Sequence, residues 1–190
     1  MRPQLTPQLP PRERIVEAAK ALFLEQGITR VSVDAIAELA ASTKMTLYRH
    51  FENKDAVVLE WLEQLTESYA DVFDRLAAEH PDAPRQQLLG FVDFIVAGLE
   101  RSGYRGCPFT NTLAELSETE HPARTLIQLH KQRQFARLTA LCTAMTLDEP
   151  GQVAAELTLL MEGAQVVAQN KGIERVGERL IEIVNRRLGA

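Results

Sequence analysis

Cysteine, aromatic residues and long apolar runs are all scarce in this chain of 190 residues. The two cysteines, Cys107 and Cys142, are too few for a disulfide framework and lack the spacing of a zinc site. His50, His80, His121 and His130 make no metal-binding spacing with carboxylates or thiols, so neither a metal nor another cofactor is expected. Cys107 and His121 could be paired on paper as nucleophile and base, but no third orienting group or oxyanion donor pattern accompanies them. A Gly-rich phosphate loop is also absent. An enzyme is therefore not expected. No apolar run reaches the roughly 18 residues of a membrane-spanning helix, since Leu88 to Leu99 is interrupted by Asp93. The opening "MRPQLTPQLPPRER" holds Pro3, Pro7, Pro10 and Pro11 and no apolar signal core, which reads as a flexible arm over residues 1–10 on a cytoplasmic protein with no membrane partner.

What is present is ordinary for a folded chain: 45% hydrophobic and 25% charged residues, far from a disordered composition. The net charge of −5 argues against a nonspecific nucleic-acid coat. Its distribution is uneven, however. Residues 1–55 carry 8 Lys and Arg against 7 Asp and Glu, net +1, which leaves −6 to the remainder.

Apolar residues recur at helical spacing through almost every long segment, and no sustained alternation of period two occurs, so the fold class is all-α. Ile15, Ala18, Ala19, Leu22 and Phe23 stripe a first helix that starts near Pro11 and stops at Gly27, a candidate for the left-handed position after a helix. Ser32 can cap a second helix, Thr43 a third ending near His50, and Asn53 a long fourth that stops at "EHPDAP". A fifth covers about 85–102 and a sixth begins near Pro108. A seventh opens at "HP" (121–122), His121 reading as its cap, and extends to about Leu147; two more cover about 151–170 and 173–188. The expected organisation is the arm, a small helical domain over 11–52, and a larger helical domain over 53–190.

The second and third helices, joined by "ASTK", have the dimensions of a helix-turn-helix. At 100° per residue, Leu47 and Phe51 fall within about 40° of each other and mark the inward face of the third helix. Met45 and Arg49 then project opposite, Tyr48 and His50 flank, Thr46 points outward and Lys44 lies in the first turn. Flanking groups of this kind donate to a phosphate row, whereas outward residues reach base edges.

The stretch "RERIVEAAKALFLEQGITRVSVDAIAELAASTKMTLYRHFENKDAVV", residues 12–58, resembles the DNA-binding region of the TetR family of bacterial regulators, with "TLYRHFENKDAV" its most specific part. The resemblance implies a nine-helix plan: a three-helix DNA-binding domain followed by a ligand-binding and dimerisation domain. By position it implies phosphate contacts from Thr46, Tyr48, His50 and Lys54, with Ser32 as a further one, and groove-facing roles for Lys44, Met45 and Arg49. Two departures stand out. Ala41 occupies a turn position where the family often has Gly, which bears on a tight left-handed turn. Met45 replaces another frequent Gly and offers an apolar contact, such as a thymine methyl.

One helix-turn-helix reads only a few base pairs, so useful specificity calls for a homodimer on double-stranded operator DNA, its half-sites about 34 Å apart. Val153, Leu157, Leu160, Met161 and Ala164 on the eighth helix, with Val176, Leu180, Ile183 and Val184 on the ninth, are the expected dimer residues, packing as a four-helix bundle about a two-fold axis. For a small-molecule effector, the candidate ligand residues are Trp61, Phe94, Cys107, Phe109, Asn111 and Gln165. Pro108 suits a first helical position and puts Cys107 at the cap, where a thiol can act as an electrophile or redox sensor or simply be buried packing. The expected function is a ligand-responsive transcriptional regulator, a repressor released from DNA by its effector. An architectural DNA-binding protein without effector and a helical thiol enzyme are the alternatives.

Overall fold

Proline placement fixes many of the helix starts: Pro11, Pro84, Pro108, Pro122 and Pro150 each open a helix, where the missing N–H would have had no partner and the fixed φ suits the first turn. The computed structural model describes residues 9–101, 103 and 105–189. Most of the expected arm, Arg2 included, lies outside them. Nine helices and no strand occur among the described residues: α1 (Pro11–Gln26), α2 (Val33–Leu39), α3 (Lys44–His50), α4 (Lys54–Glu79), α5 (Pro84–Arg101), α6 (Pro108–Glu115), α7 (Pro122–Ala144), α8 (Pro150–Asn170) and α9 (Val176–Arg187). Two ends differ from the sequence expectation. Thr146 takes a positive φ of 55°, and the Leu147 amide turns back to the Cys142 carbonyl at 3.3 Å, closing α7 at Ala144. Arg175, left-handed at φ 54°, delays α9 to Val176.

The helices fall into two units. The first holds residues up to Leu65 together with Pro108–Ile127, and the second holds Thr66–Cys107 and the residues from Gln128 onward. The start of α4 joins the first unit because Val57, Val58, Trp61 and Leu62 are buried, with the Trp61 ring 5.3 Å from that of Phe23. Ile15, Ala18, Ala19 and Leu22 of α1, Ile36 of α2 and Leu47 of α3 complete that core. Each large apolar side chain so buried contributes on the order of 1.5–3 kcal/mol. Glu115, last residue of α6, accepts the Thr29 amide at 2.7 Å, which ties α6 to the loop after α1.

In the second unit α5, α8 and α9 pack together around Leu88, Phe91, Val92, Ile95, Leu157, Met161, Leu180 and Val184. Phe73 of α4 stacks on Phe91 at 4.2 Å and 20°. Arg85 Nη2 donates to Asn185 Oδ1 at 2.9 Å, linking α5 to α9.

The three expected caps form. Ser32 Oγ accepts the Ala35 amide at 3.1 Å, Thr43 Oγ1 the Thr46 amide at 3.1 Å, and Asn53 Oδ1 the Ala56 amide at 2.8 Å. The turn between α2 and α3 is left-handed despite lacking glycine, with Ala41 at φ 47°. The Ser42 amide reaches the Ala37 carbonyl at 2.9 Å and the Ala41 amide that of Glu38 at 3.1 Å, the paired bonds of a Schellman closure. Gly27 has φ 82° and ψ 167°, a region open essentially to glycine alone rather than the left-handed helical one expected. A Cβ there would also stand 2.1 Å from Glu115 Oε1. Opposite responses follow: Ala41→Gly should raise unfolding free energy by about 0.5–1 kcal/mol and Gly27→Ala lower it by about 1–3 kcal/mol, both measured by urea titration.

Candidate functional site

α3 is anchored by a single buried side chain, Leu47, with Phe51 closing its far end. The remaining face is left to solvent. Met45 is 78% and Tyr48 48% exposed, and Arg49 and His50 are exposed beside them. No carboxylate occurs on α3. Lys44 Nζ lies 3.2 Å from Asp34 Oδ2, both side chains largely in solvent, so the pair is weak and easily exchanged for a phosphate. Thr46 Oγ1 lies 2.9 Å from Thr43 Oγ1. Ser32, through its cap, stands at the start of α2.

Lys54, an expected phosphate contact, has hydrogen-bond partners within its own chain. Its half-buried ammonium donates to the carbonyls of Ile28 at 2.9 Å and Val31 at 3.2 Å, bracing the loop between α1 and α2. Two further residues escaped the sequence reading. Arg14 Nε donates to the Ala40 carbonyl at 2.9 Å, Nη2 to Ala41 at 3.5 Å and Nη1 to Leu9 at 2.9 Å, so one guanidinium satisfies the carbonyls of the reading-head turn. Arg12 makes a bidentate pair with Glu60 at 2.6 and 3.0 Å and lies over the Phe51 ring at 5.2 Å. The shared hydrogen bond raises the Arg12 pKa and lowers that of Glu60. No spacing rule flags either arginine, because both partners are distant in sequence.

The six expected ligand residues divide between the units. Trp61 and Phe109 belong to the first unit's core, Trp61 with its Nε1 buried and unpartnered, and Asn111 is half-buried there. Phe94, Cys107 and Gln165 belong to the second. Gln165 is buried, its Nε2 donating to the Met161 carbonyl at 3.2 Å. Phe94 meets Tyr69 edge-on at 5.0 Å, and Tyr69 in turn meets His130 at 5.1 Å. Cys107 is buried, directly before α6 as expected, and its sulfur receives the Lys131 ammonium at 3.6 Å. Lys131 also binds Glu162 Oε1 at 2.5 Å. Burial opposes the Lys131 charge, but Cys107 and Glu162 outweigh it and raise its pKa. Burial likewise raises the Tyr69 pKa. His130, Lys131, Gln134 and Glu162 carry the signal of polar residues interrupting the apolar faces of α7 and α8, whereas Tyr69 lies in the apolar stripe of α4.

His121 does cap α7, its Nδ1 accepting the Ala123 amide at 3.1 Å. The dimer expectation needs correction. Val153, Leu157, Met161 and Val184 are buried within their own chain, and side chains with almost no surface left cannot form a contact between chains, whereas Ala164 and Leu180, though largely covered, line a depression at the surface. The exposed apolar side chains on α8, α9 and the turn between them are Leu159 (73% exposed), Val166 and Ile173, together with the expected Ile183 (41%). Leu160 and Val176 join Leu159, Ile173 and Ile183 around a shallow depression of about 250 Å³.

His130 supplies a pH prediction. Burial first, then Lys131 and Arg133, pull its pKa from 6.5 down to about 4. The folded chain thus binds fewer protons than the unfolded one, so the stabilisation from a neutral imidazole is complete above pH 6.5 and is lost as pH falls toward 4. Melting temperature of His130→Phe should fall less over that window than that of the unaltered chain.

Residues 15–61 match the family model described as bacterial regulatory proteins, tetR family. A crystal structure of a TetR-family transcriptional regulator from Streptomyces coelicolor superposes with a TM-score of 0.86 at 30% identity, covering 94% of each chain. The HTH-type transcriptional regulator YjdC of Escherichia coli strain K12 is 26% identical over 153 residues, 80% of each chain. TtgR of Pseudomonas putida, also an HTH-type transcriptional regulator, is 27% identical over 154 residues, 76% of this chain and 71% of TtgR. With a helix-turn-helix matched by the family model and a fold shared over nearly the whole length at 30% identity, the chain belongs to the TetR family of bacterial DNA-binding transcriptional regulators.

Proposed function

We propose that the protein is a homodimeric repressor that leaves its operator when a small molecule binds its second unit. The observation that carries the reading is the outward face of α3, basic and free of carboxylates, with Met45 and Arg49 foremost. Arg49 and Lys44 reach base edges in the major groove, Met45 meets a thymine methyl, and Thr46, Tyr48, His50 and Ser32 donate to flanking phosphates. Lys54 holds the loop that sets this face rather than touching DNA. Titration of the chain onto its own upstream intergenic duplex tests the reading: affinity should exceed that for a scrambled duplex at matched salt by at least about a thousandfold, and equal affinities would refute it. Arg49→Ala should cost about 1–3 kcal/mol and relax preference at one position. Lys54→Gln should lower the melting temperature and leave the salt slope unchanged, whereas loss of a phosphate contact reduces that slope by about one.

Two reading heads require a dimer, and the exposed apolar face of α8 and α9 supports that role through Leu159, Leu160, Ile173, Val176 and Ile183. Leu159→Glu should shift the chain to a monomer in sedimentation while its melting temperature in dilute solution changes little, since the side chain is already in solvent.

The effector side rests on the polar groups buried in the second unit around Tyr69. A coupling of about 1–3 kcal/mol between effector and DNA suffices to change occupancy. The contact of Lys131 with Cys107 favours one specific version, because reactive cysteines occur beside cations. Conjugate addition of Cys107 to an enone would form one C–S bond, the thiol hydrogen ending on the α-carbon. Release from DNA by such an electrophile should disappear in Cys107→Ser; unchanged release in that variant would remove the thiol from the mechanism.

A further inference from the structure

A cleft of about 260 Å³ opens within the second unit between α4 and α7, lined by Tyr69, Phe73, His130, Arg133, Gln134 and Arg137, with Thr66 and Ala70 beside them. Its composition is one-sided. Two guanidinium groups line it and no carboxylate does. Arg137 already has a partner in Asp74 at 2.8 Å and lies over the Phe73 ring at 6.0 Å, whereas Arg133 is exposed and makes no hydrogen bond or ion pair among the described residues. At the opposite extreme of burial, Gln134 is only 6% exposed, yet its Oε1 has no donor. An acceptor left bare in the interior costs about 1–3 kcal/mol unless something supplies a hydrogen. Tyr69 and Phe73 give the cleft aromatic walls, fixed from behind by Phe91. The His130 imidazole, held neutral by burial, adds polarity without charge.

We infer that this cleft binds a planar aromatic carboxylate that carries a ring hydroxyl, the carboxylate meeting Arg133 and the hydroxyl donating to Gln134 Oε1 once the Gln134 amide has turned toward the cleft. The assignment rests on the effector reading above and names the chemical class that the effector belongs to. Each element has a physical counterpart. A carboxylate matches the fork of a free guanidinium, a flat ring packs against Tyr69 and Phe73, and a hydroxyl supplies the donor that Gln134 lacks. An uncharged aromatic leaves Arg133 unanswered, and an aromatic acid without a donor leaves the buried oxygen bare.

Calorimetric titration of the full-length dimer with 3- and 4-hydroxybenzoate, benzoate, and methyl 4-hydroxybenzoate tests this, alongside operator binding measured with and without each compound. One of the hydroxybenzoates should bind, benzoate should bind it about tenfold or more weakly, and the ester weaker still, as expected for loss of a hydrogen bond to a buried acceptor and of a charge-assisted pair. Arg133→Ala should abolish the advantage of acid over ester. Gln134→Leu, which fills the same space with no polar atom, should abolish the advantage of hydroxybenzoate over benzoate, and its retained melting temperature would show that the fold is intact. Absence of binding by both hydroxybenzoates at millimolar concentration, or binding that both variants leave unchanged, overturns the inference. Sequence-specific DNA binding that persists in such a result leaves the operator reading standing, whereas its absence fails that reading separately.

Discussion

Everything that α3 presents to a duplex is set by the few residues that reverse the chain between α2 and α3. Ala41 sits there in a left-handed conformation that disfavours any side chain with a Cβ, and the closing bonds to Ala37 and Glu38 do not by themselves explain why the turn keeps that form. Arg14 completes the explanation. Its guanidinium reaches across from α1 to the carbonyls of Ala40 and Ala41 while also holding that of Leu9, so a charge fixes the turn from below. The outward tilt of Met45 and Arg49 is therefore as much a property of α1 as of α3.

The second unit follows a different logic. Its helices bury an apolar core of ordinary kind, yet α7 brings His130, Lys131 and Gln134 against or beside that core, where purely apolar residues would have been more stabilising. Lys131 is answered by Glu162 and Cys107; Gln134 Oε1 is not answered. Polar groups retained in such places are usually kept for a ligand or a switch rather than for the fold. Each unit leaves a buried polar atom unanswered, Trp61 Nε1 in the first and Gln134 Oε1 in the second, but the second also gathers His130, Lys131 and Glu162 against or beside its core.

Much of this was legible in the chain itself. Apolar periodicity located all nine helices, the caps Ser32, Thr43 and Asn53 form as their residue types suggest, and the angular position of Leu47 correctly separated the buried from the exposed side of α3. Three kinds of feature were not legible. Arg12 and Arg14 find partners through folding over distances that no local pattern encodes. Lys54 has the residue type of a phosphate contact, and its bonds to the Ile28 and Val31 carbonyls appear only once the chain is folded. On α8 and α9 the apolar positions are dense enough to supply two faces. Periodicity mixed them, selecting Val153, Leu157 and Met161 of the inner face together with Leu160, Val176 and Ile183 of the outer one, and it passed over Leu159, which only exposure sets apart.

Glu115 gives the first unit an unusual ancestry within its own sequence. The segment around it is encoded in the middle of the chain, after the whole of α5, yet its carboxylate holds the Thr29 amide at the foot of the reading head, and Phe109 and Ile127 are buried in the same unit. A graft that exchanges reading heads between relatives by cutting once after α3 or α4 would thus separate parts that mature together. Two stretches of gene, not one, have to travel for specificity to be transplanted with its foundation.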